Sequence, residues 1–297
     1  MKITNKLNLP QPFVDAATSE YTYTPKRYSV TSLTKGVREA ILQHRHNDEV
    51  EQDAADMVWL VFGKAVHTIL ENAADTPGLE VEGRLEKDMG DGYTLSGIFD
   101  LYNPHTKTVS DWKTASTWKV IFNDWTDYEK QLAIYAWLLN ESGKPCTRGE
   151  IVAILKDHSK TEASRKSDYP QLPVHVQAFD FTPEYLEKVA EMVRENFEAI
   201  KYAETLEDFD LPMCSEEERW HKPDKWAVKK PGVKKAVRLL DSREEAQAYI
   251  ANHKEGYKLE IEYRPGEDTK CLRYCSVAQF CDHGRLVLAA QGGENGN

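Results

Sequence analysis

Apolar residues recur at Ala54, Val58, Phe62, Val66 and Ile69, a helical period that predicts a helix over 53–73. A second helix is predicted over 33–44, where Ser29 and Ser32 offer hydroxyls for its cap. The pattern changes after Pro77. Residues 80–86, 93–102 and 108–113 form short runs parted by Gly90-Asp91-Gly92 and Asn103-Pro104-His105, which read as antiparallel strands joined by turns. A helix over 125–140 follows, then strands over 151–155 and 174–181, then a long helix from Pro183 to 203. This order predicts an α/β (α+β) chain with a mixed central sheet flanked by helices.

The flanking segments differ in character. Residues 1–27 are polar and carry Pro10, Pro12 and Pro25, so they read as an N-terminal extension packed on the domain or left loose. Residues 28–205 hold the sheet and its helices. Residues 206–290 form a smaller module containing four of the five cysteines, and the Gly-rich residues 291–297 read as a disordered tail. Within the module, residues 219–238 carry eight Lys or Arg against the single acid Asp224, with Trp220 and Trp226 interleaved. Strand, strand, helix (242–249) and strand (257–263) are predicted there, a basic β-β-α-β insertion.

Charge and cysteines narrow the chemistry. The chain of 297 residues has a formal net charge of −11 and is 40 % hydrophobic, so the local excess of +7 in 219–238 stands against an acidic background. No run approaches the ~18 apolar residues of a membrane span, and the first ten residues lack the order of a signal peptide, so a cytoplasmic address is expected. Thiols in that compartment are kept reduced, which argues against a disulfide framework. Cys146 reads as a small buried residue. Cys214, Cys271, Cys275 and Cys281 supply four thiolates, a set that suits a [4Fe-4S] cluster or a structural Zn²⁺ site.

The most informative stretch is Gly97-Ile-Phe-Asp100, a turn, and then Asp111-Trp112-Lys113-Thr114. With a loop over 104–107, Asp100 falls opposite Asp111, and Lys113 shares their face because strand side chains alternate. Opposed carboxylates destabilise a hairpin unless a cation lies between them, so the pattern points to a hard divalent ion, Mg²⁺ or Mn²⁺. Asp268-Thr-Lys270 repeats the D-x-K spacing and is assigned no role. Gly63, His67 and Glu71 recur at i, i+4 on the helix over 53–73, and Gln131 and Tyr135 do so on the helix over 125–140.

Taken in order, G-x-x-x-H, G-x-x-D, D-x-K-T and Q-x-x-x-Y resemble the RecB-like branch of the PD-(D/E)xK nucleases over residues 29–203. The resemblance implies a restriction-endonuclease-like core. It makes His67, Asp100 and Asp111, with the carbonyl of Trp112, the metal ligands. It makes Lys113 the catalytic lysine, with Gln131 and Tyr135 shaping the site and engaging the nucleic acid strand; Glu82 or Glu86 is open as a further carboxylate, the other reading being surface charges on a strand. A lone cysteine plus a C-terminal triplet is similar to the iron-sulfur staple of several RecB-like nucleases, although those commonly place the lone cysteine before the core. The implied activity is metal-dependent hydrolysis of DNA phosphodiesters, an exonuclease of phage-type recombination or repair, in a bacterial or phage-infected cytoplasm, with a recombination or repair protein as possible partner. A non-catalytic nucleic-acid-binding protein and a site-specific endonuclease are the alternatives. Lys225, Lys229, Lys230, Lys234, Lys235 and Arg238 are the candidate DNA contacts, since phosphate neutralisation dominates such binding.

Overall fold

The computed structural model describes residues 1–18, 24–73, 76–253 and 258–292. The chain divides into two compact units, Met1–Glu207 and Asp208–Asn297. No helix among the described residues is long and apolar enough to cross a membrane.

The first unit begins with β1 (Lys2–Thr4), α1 (Gln11–Ala17), β2 (Arg27–Ser29), α2 (Val30–Leu33), α3 (Val37–His46), β3 (Glu51–Asp53) and a 3-10 turn leading into α4 (Val58–Ala73). β1 pairs in parallel with β3, and Asp53 accepts hydrogen bonds from the Thr4 hydroxyl and the Lys6 N–H, so the start of the chain is tied to this unit. The single helix expected over 33–44 is two. Ser29 caps the short α2 through the N–H of Ser32, and Gly36, at φ +97°, redirects the chain into α3.

There follow β4 (Glu80–Asp88), β5 (Thr94–Asn103), β6 (Thr108–Ala115), α5 (Thr117–Ile121), α6 (Thr126–Glu141), β7 (Arg148–Leu155), α7 (Lys160–Ala163), β8 (Val174–Asp180) and α8 (Pro183–Ala203). Strands β2, β4, β5, β6, β7 and β8 make one mixed sheet, flanked by helices. β5 uses its first edge for β4 along almost its whole length. Its second edge is shared: β6 pairs antiparallel with 101–103 and β2 pairs in parallel with 94–96. Residues 97–100 therefore face a window between β2 and β6. Beyond its three rungs with β5, β6 turns wholly to β7, with which it pairs in parallel from Thr108 to Ala115.

α6 is buried from Gln131 to Leu139, being apolar on nearly every face. α8 turns a stripe of Leu186, Val189, Ala190, Val193, Phe197 and Ile200 inward, the i, i+3, i+4 spacing of one helical face. Beside it, Tyr28 is wholly buried, stacked on His44 with ring centroids 4.1 Å apart. The hydroxyls of Tyr28 and Tyr93 both donate to Glu204 at 2.6 Å, and Arg45 donates to carbonyls at the end of α8, including Leu206 at 2.7 Å. Cys146 is buried, its thiol donating to the Arg148 carbonyl.

α4 departs from the sequence expectation in one respect. Its apolar period predicts a buried face, yet none of its residues is buried, and Trp59, Phe62 and Ile69 are exposed.

The second unit contains β9 (His221–Lys222), β10 (Lys225–Lys229), β11 (Ala236–Leu240), α9 (Arg243–Ala251), β12 (Glu260–Arg264), β13 (Glu267–Asp268), α10 (Thr269–Arg273), a 3-10 turn over Ala278–Phe280 and α11 (Asp282–Gly292). β10 is the centre of an antiparallel sheet between β11 and β12, with α9 packed on it. The expected strand over 257–263 runs from Glu260 to Arg264, and Tyr257 lies outside the described residues. α11 carries the chain into the expected tail as far as Gly292, and 293–297 lie outside the described residues.

Candidate active site

The site lies where β5 and β6 part. The rungs Asn103↔Thr108, Tyr102↔Val109 and Leu101↔Ser110 are the paired ones, and Asp100 and Asp111 are the next residue of each strand beyond the last of them. At that point the side chain takes over from the ladder: Asp100 Oδ2 accepts the Trp112 backbone N–H at 2.6 Å. Lys113, two residues beyond Asp111 on the same face of β6, reaches back to form an ion pair with Asp111 Oδ2. Both carboxylates are buried and the ammonium is only partly exposed.

Two helices complete the pocket. α4 brings His67 Nδ1 to 3.4 Å from Asp100 Oδ1. α6 brings Gln131, whose Nε2 lies 3.4 Å from Asp111 Oδ1 and 3.5 Å from the Tyr135 hydroxyl. Tyr135 lies against Gly97 in the window of β5. A Cβ at 97 would stand 2.5 Å from Tyr135 Cε1 and 2.8 Å from Val30 Cγ2, so the ring reaches this position only because residue 97 is glycine.

Of the two glutamates left open as a further carboxylate, Glu82 is the one that stands at the site. It stands on β4 opposite Asp100, between the rungs Val81↔Leu101 and Gly83↔Phe99, with φ +50°. One donor atom each from His67, Glu82 and Asp100 lie within 4.8 Å of one another. Glu86 is the surface charge, paired with Arg27. The signal that separates the two glutamates is register: residue 82 lies between the two rungs that flank Asp100, whereas Glu86 pairs with Ser96.

The electrostatics describe an anion-rich pocket. Burial pushes the Asp111 carboxyl up, Lys113 opposing and Asp100 adding to the effect. Burial pulls the Lys113 ammonium down, but the charge and hydrogen bond of Asp111, with Asp100 and Tyr128 adding to them, together outweigh it and the net direction is up. Glu82 is raised by burial and then by Asp100 and Glu71. His67 is raised by its contact with Asp100. Asp111 Oδ2 is fully buried and accepts no hydrogen bond of good geometry, its one close partner being the ammonium. Carboxylate oxygens around one imidazole, with a buried oxygen short of hydrogen bonds, are a donor set for a divalent cation.

Over residues 19–282 the sequence matches the PD-(D/E)XK nuclease superfamily. The chain belongs to that superfamily. No curated protein sequence matches it. Similar solved structures include that of SSO0001, 15 % identical with TM-score 0.46, covering 63 % of this chain and 83 % of that one. A phage related exonuclease from Haemophilus somnus 129PT is 12 % identical with TM-score 0.30, covering 56 % and 74 %. An alkaline exonuclease from Laribacter hongkongensis is 10 % identical with TM-score 0.37, covering 66 % and 97 %.

Within this PD-(D/E)XK chain, Tyr128 is a neighbour of the site that the motif reading passed over. Its ring lies 5.6 Å from Lys113 Nζ and 4.8 Å from Lys119 Nζ. In the second unit, burial pushes the Cys214 thiol up to about 12, with Glu218 and then Cys281, Cys271 and Cys275 adding to the effect, so the four cysteines share one neighbourhood. Asp268 joins them, accepting from His221 and His283 at 2.7 and 2.6 Å. The basic strands are partly neutralised: Lys225 pairs with Asp241, and Lys229 with Glu260 and Glu262. Lys230, Lys234, Lys235 and Arg238 are exposed.

Proposed function

We propose that the protein is a divalent-metal-dependent deoxyribonuclease of the RecB-like type, an exonuclease that hydrolyses DNA from its ends in phage, recombination or repair processing. The observation that supports it most is the meeting of Asp100, Asp111 and Lys113 at the point where β5 and β6 part. A binding module has no use for buried carboxylates that repel phosphate.

In this reading His67, Asp100, Asp111 and the Trp112 carbonyl hold Mg²⁺ or Mn²⁺, and Glu82 adds a carboxylate. When bound, such an ion stabilises charge on the phosphate and eases deprotonation of water. The chain's own groups do the rest. Asp111 anchors Lys113, whose ammonium orients the attacking water and neutralises charge at the scissile phosphate. Gln131 fixes Asp111, and Tyr135 supports Gln131 from the floor of the window. Burial keeps these contacts strong by excluding competing water.

Cys214, Cys271, Cys275 and Cys281 hold a [4Fe-4S] cluster that ties the second unit together. Structural zinc is the alternative, and among the described residues one donor atom each of Asp268, Cys271 and His283 lie within 4.8 Å of one another in this neighbourhood. Lys230, Lys234, Lys235 and Arg238 offer charge to the DNA backbone, with Lys225 and Lys229 supporting them from within the sheet. The setting is the cytoplasm of a bacterium or phage-infected host, beside a recombination or repair protein.

End-labelled linear DNA and a covalently closed circle, each with Mn²⁺ and with EDTA, test the proposal. The expected result is metal-dependent release of the end label with the circle intact. A cut circle indicates an endonuclease, and intact DNA throughout indicates a non-catalytic binder.

A further inference from the structure

Four large aromatic side chains stand in the open around the carboxyl ends of β6 and β7, and the catalytic reading gives them no task. Trp59 and Phe62, one turn apart on α4, are 53 % and 38 % exposed and meet edge to face with centroids 6.2 Å apart. Trp118 on α5 and Phe122 just beyond it are 58 % and 71 % exposed, stacked with centroids 5.4 Å apart. Aromatic surface left out of a core in such density marks a binding face.

Both pairs are fastened to the strand ends that carry Lys113. Lys156, the first residue after β7, donates its N–H to the carbonyl of Ala115, the last residue of β6, and sets its ammonium 4.0 Å from the Trp59 ring centroid. Asp157 then caps α5, accepting from the Thr117 N–H at 2.7 Å and the Ser116 hydroxyl at 2.8 Å. On α5 itself, Lys119 lies against the Tyr128 ring whose other near cation is Lys113. One path thus leads from the Asp111–Lys113 pair through Tyr128 and Lys119 to Trp118. Another leads from Ala115 through Lys156 to Trp59.

The cations select the occupant. Ammonium groups set on and beside exposed rings are a poor lining for an apolar protein surface. They match a polyanion with flat faces, whose phosphates meet the lysines while its bases stack on the rings. In a closed duplex those faces are hidden in the base stack. We propose that Trp59, Phe62, Trp118 and Phe122 form a stacking platform for an unpaired DNA strand running to the catalytic pocket. The substrate class is then single-stranded DNA, or a duplex end whose terminal bases part on the protein. The proposal rests on the nuclease reading for what lies beside the platform, and its readout is binding alone.

The test uses the full-length protein in EDTA, where hydrolysis is silent, with fluorescein-labelled oligothymidylate and a blunt closed hairpin as probes. Wild type is expected to bind the single strand more tightly than the hairpin, with quenching of tryptophan emission. Trp59→Ala and Trp118→Ala should each weaken oligothymidylate binding by roughly 5- to 150-fold, the worth of one base–aromatic stack. Trp59→Phe and Trp118→Phe should retain most of the affinity, and circular dichroism melts of all four should overlay wild type. Wild-type affinity in both alanine variants, or no binding by wild type, overturns the platform even if Mn²⁺-dependent cleavage is intact. Loss of binding in the variants upholds it even if cleavage is absent and the nuclease reading falls. If wild type sediments as a dimer that Trp118→Ala dissociates with oligothymidylate affinity unchanged, the face is a self-association surface and the proposal is overturned.

Discussion

Asp100 accepts the backbone N–H of Trp112 at 2.6 Å, so a side chain stands where the next ladder bond between β5 and β6 would be. This contact bridges the two strands just beyond their last rung, Leu101↔Ser110. The opening between them is a feature of the fold, built before any ligand arrives.

Glu82 lies on β4, on the other side of β5, between the rungs that flank Asp100, and both Asp100 and Glu71 repel its carboxylate. Glu82→Gln should therefore raise the stability of metal-free protein by about 0.5 kcal/mol, the scale of one opposed like-charge pair. The same variant should bind Mn²⁺ more weakly. Urea melts in EDTA and calorimetric Mn²⁺ titration measure the two effects, and unchanged metal affinity would remove Glu82 from the ligand set.

Gly97 leaves room for the Tyr135 ring in the window of β5. Gly97→Ala should cost about 1–3 kcal/mol, because both the ring and Val30 stand within overpacking distance of the new methyl group. Tyr135→Leu in the same background should recover part of that loss. A denaturant series on the single and double variants checks it, and additive effects would place the strain elsewhere.

The local hairpins were legible in the sequence because turn residues bound them. Gly90-Asp91-Gly92 separates β4 from β5, and the loop over 104–107 sets Asp100 opposite Asp111. The parallel pairing of β2 against β5 and of β6 against β7 is non-local, and no spacing in the chain encodes it. Periodicity announced an apolar face on α4 but not what would cover it. Charge counting over 219–238 missed Asp241, just past the end of β11, and Glu260 and Glu262 on β12, which meet Lys225 and Lys229. Glu82 and Glu86 could not be told apart as a further carboxylate until the fold put Glu82 beside Asp100.

His44 gives the first unit a pH dependence. Burial against Tyr28 holds its imidazole below the ordinary value of 6.5, although Glu204 pulls the other way. The native state thus keeps the ring neutral while the unfolded chain takes up a proton. The stability this contributes is complete above pH 6.5 and is lost as pH falls from there through the lowered native value. Melts from pH 8 to 5 on wild type and His44→Phe should show a shallower slope in the variant; parallel curves would contradict this.

Cys214 is half-buried and lies near the other three cysteines. Anaerobically purified wild type should be brown and contain iron, and Cys214→Ala should lose colour, iron and the thermal transition of the second unit, since metal binding and folding are coupled. A colourless wild type with stoichiometric zinc would refute the iron-sulfur assignment.

The pairing of Asp111 with Lys113 is tested most directly by single-turnover cleavage of end-labelled DNA in Mn²⁺, with binding followed in parallel. Lys113→Ala should bind DNA within a few-fold of wild type yet cleave about 10²-fold more slowly or worse, the loss expected when a preorganised electrostatic group is removed. Cleavage at the wild-type rate would contradict the assignment of this pocket as the catalytic site.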